Sequence, residues 1–82
     1  MSFAERMLEV KIEGAREKLI GRMKILKGEL ERNLNTLSND ETFQPNSLGI
    51  VQSLGQEIDV LCSRLGALYE MQEVIESDKN KE

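Results

Sequence analysis

Apolar residues recur along the first half of the chain at Leu8, Ile12, Ala15, Leu19, Met23, Leu26, Leu30, Leu34 and Leu37. The steps between them are threes and fours averaging close to 3.6, which is one face of a fairly straight α-helix. Ser2 followed by Glu5 has capping-box spacing where such a helix would begin. Ser38-Asn39-Asp40 marks its end, because short polar side chains compete there for backbone hydrogen bonds. The pattern predicts a first helix over about residues 3–38.

The second half carries a tighter pattern: Val51, Leu54, Ile58, Leu61, Leu65, Leu68, Gln72 and Ile75. These steps alternate strictly between three and four, a heptad seam. Gln72 is its single polar member and is suited to fixing register. Between the two patterns, residues 38–47 (SNDETFQPNS) contain the only proline. Pro45 forbids a continuous helix and biases Gln44 toward extended geometry. Asn46 or Ser47 can cap the next helix, and Phe43 is placed to fold back over the hairpin end. The prediction is one all-α domain, an antiparallel two-helix hairpin of coiled-coil type. Its turn covers about 39–46, its second helix about 47–76, and a frayed tail 77–82. Helices of this length make a rod of roughly 50 Å.

A hairpin that buries one stripe per helix should be polar elsewhere, and this one is not. At 100° per residue, Phe3, Met7, Val10, Gly14, Gly21, Ile25 and Gly28 fall together, nearly opposite the leucine stripe, with Lys18 alone interrupting them. Each helical glycine costs ~1 kcal/mol relative to alanine. What it offers is close approach by another backbone. Val60, Ala67, Met71 and Val74 form a weaker second stripe off the heptad seam of helix two. Apolar residues on two faces of each helix predict a larger bundle, completed by homo- or hetero-association. Scattered exposed apolar residues are the simpler alternative.

Composition narrows the possibilities. Eighty-two residues bury only a modest core. Cys62 is the only cysteine and there is no histidine, so neither a disulfide nor a zinc site is expected, and no cofactor. Partner chains remain as the source of further burial. The net charge of −4 argues against nucleic acid as a partner. No apolar run approaches the ~20 residues that span a bilayer. Charge breaks the opening Met1-Ser2-Phe3-Ala4-Glu5-Arg6 before a signal-peptide core could form. With a lone thiol, the expected compartment is the cytoplasm. Residues 1–37 carry eight basic and six acidic side chains, and residues 38–82 three basic and nine acidic, which favours antiparallel pairing.

No nucleophile–base pair is visible, so no enzymatic activity is expected. Cys62 flanks the heptad seam without an activating group and reads as a small buried hydrophobe. Glu57, Asp59, Glu70, Glu73 and Glu76 read as a solvated acidic face. The basic run Arg16, Lys18, Arg22, Lys24 and Lys27 could touch phosphates, but pairing with an acidic helix is more economical without interleaved aromatics.

Two families share this layout. The charged helix ending Leu26-Lys-Gly-Glu-Leu30-Glu-Arg-Asn-Leu34, the turn Phe43-Gln44-Pro45-Asn46 and the second amphipathic helix to Ile75 resemble the small cytoplasmic co-chaperones of the type III secretion needle subunit. That resemblance covers roughly residues 20–75 and implies a non-enzymatic hairpin bound to a helical-repeat chaperone and the needle protein. The needle subunit itself fits less well, since its turn has two prolines. Gly55-Gln56-Glu57-Ile58-Asp59-Val60-Leu61-Cys62 is similar to the signature of the hairpin phosphatases acting on the sporulation response regulator. There Gln56 and Asp59 would enter the phosphoaspartate site. Gly55 in place of serine, Cys62 in place of an aliphatic residue, and a longer first helix and turn depart from that pattern. The leading expectation is a chaperone- or adaptor-like module that binds helices of another protein.

Overall fold

Ser2 holds extended backbone geometry (φ −76°, ψ 162°), and its hydroxyl accepts a hydrogen bond from the Glu5 backbone N–H at 3.3 Å. That satisfies one of the donors a helix start leaves orphaned. The computed structural model describes residues 2–39, 42 and 48–80. Among them, α1 runs Phe3–Ser38 and α2 runs Leu48–Asn80. At the far end of α1, the Asn39 N–H still donates to the Asn35 carbonyl at 3.0 Å while its own backbone leaves helical geometry (φ −96°, ψ 12°). The roles expected of Phe43, Pro45, Asn46 and Ser47 fall outside the described residues.

Lys79, near the end of α2, reaches Glu5 at the start of α1, and Arg22 reaches Glu57 near mid-length, so the helices are antiparallel. The pair forms a rod of 64 × 16 × 15 Å. Its radius of gyration is 18.8 Å, against ~12 Å for a compact domain of this length. Its accessible surface is 6587 Å², where a compact monomer of this mass would show ~5000 Å². The rod therefore has an unusually large surface over a thin core.

All eight α2 residues expected at the seam face α1. Leu54 and Leu61 are buried and Val51, Ile58, Leu65, Leu68, Gln72 and Ile75 are half-buried. In α1 the expected stripe holds for its first half only. Leu8 and Ile12 are buried and Ala15 and Leu19 half-buried, but Met23, Leu30, Leu34 and Leu37 are exposed. Their places are taken by Arg22, Glu29, Asn33 and Thr36, with Leu26 kept. The reason is periodicity. A 3.6-residue stripe drifts by ~20° per heptad relative to a 3.5-residue seam. Over the four heptads from Leu8 to Leu37 that is ~80°, enough to carry the leucines out of the interface. The strict heptads of α2 determine which α1 residues meet it.

The polar half of the seam is internally satisfied. Asn33 Nδ2 donates to the Glu29 carbonyl at 2.9 Å and Thr36 Oγ1 to the Arg32 carbonyl at 3.0 Å, while Glu29 pairs with Arg32 at 3.2 Å. Among the described residues no buried side-chain nitrogen or oxygen lacks a partner. Such satisfaction makes the polar stretch tolerable, not strongly adhesive.

Helix α2 continues to Asn80, past the fraying expected after residue 76. Lys79 contributes to this in two ways. It places a cation in the last turn, where the helix dipole favours one. Its Nζ also lies 2.8 Å from Glu5 Oε2, joining both helix ends. The Lys79 hydrogen bond is the main cause holding the Glu5 carboxyl below its ordinary 4.5, against an opposing contribution from partial desolvation. A carboxylate depressed in the folded state stabilises the fold above its unfolded pKa, and that stabilisation is lost as pH falls through the folded value. Lys79→Ala is expected to move the Glu5 titration, followed by carboxyl NMR, up toward 4.5. It should also lessen the loss of stability below that pH. An unchanged Glu5 titration would show that the clamp does not form.

Candidate functional site

The core and the surface are out of proportion. Leu8, Ile12, Leu54 and Leu61 are the buried apolar residues among those described, while fifteen large apolar side chains are exposed. The exposed set is not scattered. It falls on two sides of the hairpin.

One side carries the stripe expected from the sequence. Phe3 is 79% exposed and Val10 67%, and Met7 and Ile25 are also exposed. Between them run Gly14, Gly21 and Gly28, where an added Cβ would meet nothing within 4 Å. The glycines therefore serve no packing within the hairpin. They leave a strip of α1 backbone bare. From α2, Val60, Ala67, Met71 and Val74 are exposed as well. Lys18, the one interruption of the α1 stripe, lines the same cleft as Val60, so the two stripes lie on one side. The sequence placed each stripe on its own helix and did not indicate that they adjoin.

The opposite side was missed. Ile20, Met23, Leu30, Leu34 and Leu37 are all exposed. Met23, Leu26, Leu30 and Leu34 border a shallow apolar groove with Lys27 and Glu31 at its edge. Every residue of that groove belongs to α1, so it is a helix face and not a pocket between helices. Extending a straight stripe through all nine apolar positions concealed it. The signal was the strict heptad of α2, which α1 had to match.

The cleft between the helices holds Lys18, Arg22 and Arg64 around Glu57, and Arg22 is already paired with Glu57 at 3.2 Å. Both partners are well exposed, so the pair adds at most ~1 kcal/mol. Gln56, which also borders this cleft, and Asp59 are exposed on α2. Cys62 is exposed, not buried as its place beside the seam suggested. A position flanking a two-helix seam is covered only when a third helix packs there. Among the described residues no group of His, Cys, Asp or Glu is arranged to hold a metal ion, and no helix is long and apolar enough to cross a membrane.

The open space at the glycines gives a test of what they are for. Gly14→Ala, Gly21→Ala and Gly28→Ala should each raise hairpin stability in denaturant unfolding, by up to ~1 kcal/mol. Gly21→Leu should fold equally well. A loss of stability from any alanine would mean that the glycine makes a contact within the chain.

No family model, curated protein or solved structure matches this chain.

Proposed function

We propose that this protein is a non-enzymatic interaction module that covers an apolar helix of another protein, as an adaptor or chaperone does. The observation that carries this reading is the side formed by Phe3, Met7, Val10 and Ile25 with the bare backbone at Gly14, Gly21 and Gly28. A helix laid along it would bury the exposed side chains and approach the α1 backbone where no Cβ intervenes. Val60, Ala67, Met71 and Val74 offer a second exposed apolar stripe from α2, of which Val60 borders the cleft that Lys18 also lines. This is helix-in-groove recognition with the groove shared between the two chains. The acidic balance of the chain keeps such a surface from associating at random. In a cytoplasmic setting, a needle-subunit co-chaperone of type III secretion is one protein that would work this way.

The test is a double substitution. Val10→Glu with Ile25→Glu puts two carboxylates on the docking side without touching the seam, since both residues are exposed. Proteins captured by the wild-type chain from its native cell would be identified by mass spectrometry and the complex rebuilt from purified components. The double variant is expected to lose that complex by at least a hundredfold in affinity, as hot-spot losses do, while its circular dichroism stays helical. Unchanged binding would overturn the reading. So would turnover: if the purified chain accelerates loss of phosphate from a response regulator and Asp59→Ala stops it, the protein is a phosphatase.

A further inference from the structure

We infer that the helix this protein covers is an acidic one, with a carboxylate that seats between Lys18 of α1 and Arg64 of α2. The inference rests on the docking side assigned above and adds the chemistry that selects the partner and sets its register.

Lys18, Arg22 and Arg64 line one cleft between the helices, together with Ser53, Gln56 and Val60. Glu57 is the carboxylate that borders this cleft, and Arg22 already holds it at 3.2 Å. The side chains of Lys18 and Arg64 make no ion pair or hydrogen bond among the described residues. Their own helices do not supply one. A helix brings opposite charges into reach three and four residues apart. Around Lys18 those positions hold Gly14, Ala15, Gly21 and Arg22, and around Arg64 they hold Val60, Leu61, Ala67 and Leu68. Lys27 and Arg32 differ, because each has a glutamate on its own helix, Glu31 and Glu29. In a chain of fifteen acidic and eleven basic residues, two cations thus face one cleft without a free carboxylate.

The place of the cleft decides what kind of anion it takes. It lies at mid-length of both helices, where backbone N–H groups are engaged within the helix. The N–H donors that hold a free phosphate at a helix start are therefore not on offer. What surrounds the two cations is apolar or bare. Val60 and Leu61 border the cleft, and Gly14 and Gly21 lie one turn to either side of Lys18, with nothing within 4 Å of an added Cβ. A helix that comes close at these glycines brings its own side chains within reach of Lys18. Glutamate or aspartate there neutralises the pair of cations, whereas a neutral side chain would cover them unpaired.

The rest of the surface makes the choice selective. A net charge of −4 is unfavourable to an acidic helix in general. The register that brings its carboxylate to this cleft is favoured over the others for that reason.

The probes are three synthetic helical peptides about six turns long. They share an apolar face of leucine and alanine and differ only in glutamate, glutamine or lysine at its centre. In calorimetry with the full-length chain at low salt, the glutamate peptide should bind about tenfold tighter than the glutamine peptide, and the lysine peptide about tenfold weaker than it. Added salt should narrow these differences, a readout that needs no variant. Lys18→Glu with Arg64→Glu should invert the order while circular dichroism stays helical, since both residues are exposed and outside the seam. Val10→Glu with Ile25→Glu should weaken all three peptides. Equal affinities in the wild-type chain, all lost in Val10→Glu with Ile25→Glu, would overturn this inference and leave the docking side standing. Binding of none of the peptides would overturn it as well, the partner reading then being decided by the rebuilt complex. So would a glutamate preference that survives Lys18→Glu with Arg64→Glu. Displacement of the glutamate peptide by inorganic phosphate, where sodium chloride of equal ionic strength has no effect, would assign the cleft to a free anion instead.

Discussion

Two helices stay in contact along their whole length only if both present a contact residue every 3.5 positions. In this protein α2 imposes that period. Its eight seam residues, from Val51 to Ile75, hold a strict alternation and all turn inward. Helix α1 has apolar residues at a longer period and matches the seam only while the two coincide, from Leu8 to Leu19. Beyond that point the geometry of pairing outweighs the apolar preference of individual side chains. Arg22, Glu29, Asn33 and Thr36 enter the seam, and four apolar residues of α1 are left outside it.

Much of the rest of the structure follows from this mismatch. Among the described residues the core reduces to Leu8, Ile12, Leu54 and Leu61, and none of them is completely enclosed. Ion pairs across the helices do not compensate: Arg22–Glu57 is exposed, and only the Glu5–Lys79 pair is partly shielded at the Glu5 end. What the hairpin gains instead is surface of two kinds. One side offers bare backbone between bulky side chains. The other offers a row of leucines. The two sides lie on different faces of a rod only 16 Å thick.

The helices, their capping at Ser2 and their end at Asn39 were readable because each has a local cause within a few residues. The α2 seam was readable because its period is unambiguous. The exposed stripe from Phe3 to Gly28 was readable as a pattern, since glycine at intervals of seven in a helix needs a reason. What could not be read from α1 alone was its inner face past Leu19. That face depends on the partner's period, which is a tertiary property. The exposure of Cys62 has the same origin, because a flanking position is buried or open according to how many helices surround it. The extension of α2 to Asn80 depends on a side-chain pair joining residues at opposite ends of the chain.

The uneven seam also bears on how the hairpin forms. A helical hairpin ordinarily zips from its turn, where the loop to be closed is short. Here α1 offers polar residues nearest the turn, Glu29, Asn33 and Thr36, against Val51 and the buried Leu54 of α2, and apolar residues meet from both helices only farther along. Leu8 and Ile75, which border one depression, are separated by roughly 65 residues of chain, and closing so long a loop carries an entropic cost that grows with the logarithm of its length. The contacts that are apolar on both helices must therefore be made across the longer loops, and folding should be slower than in a hairpin whose apolar contacts begin at the turn.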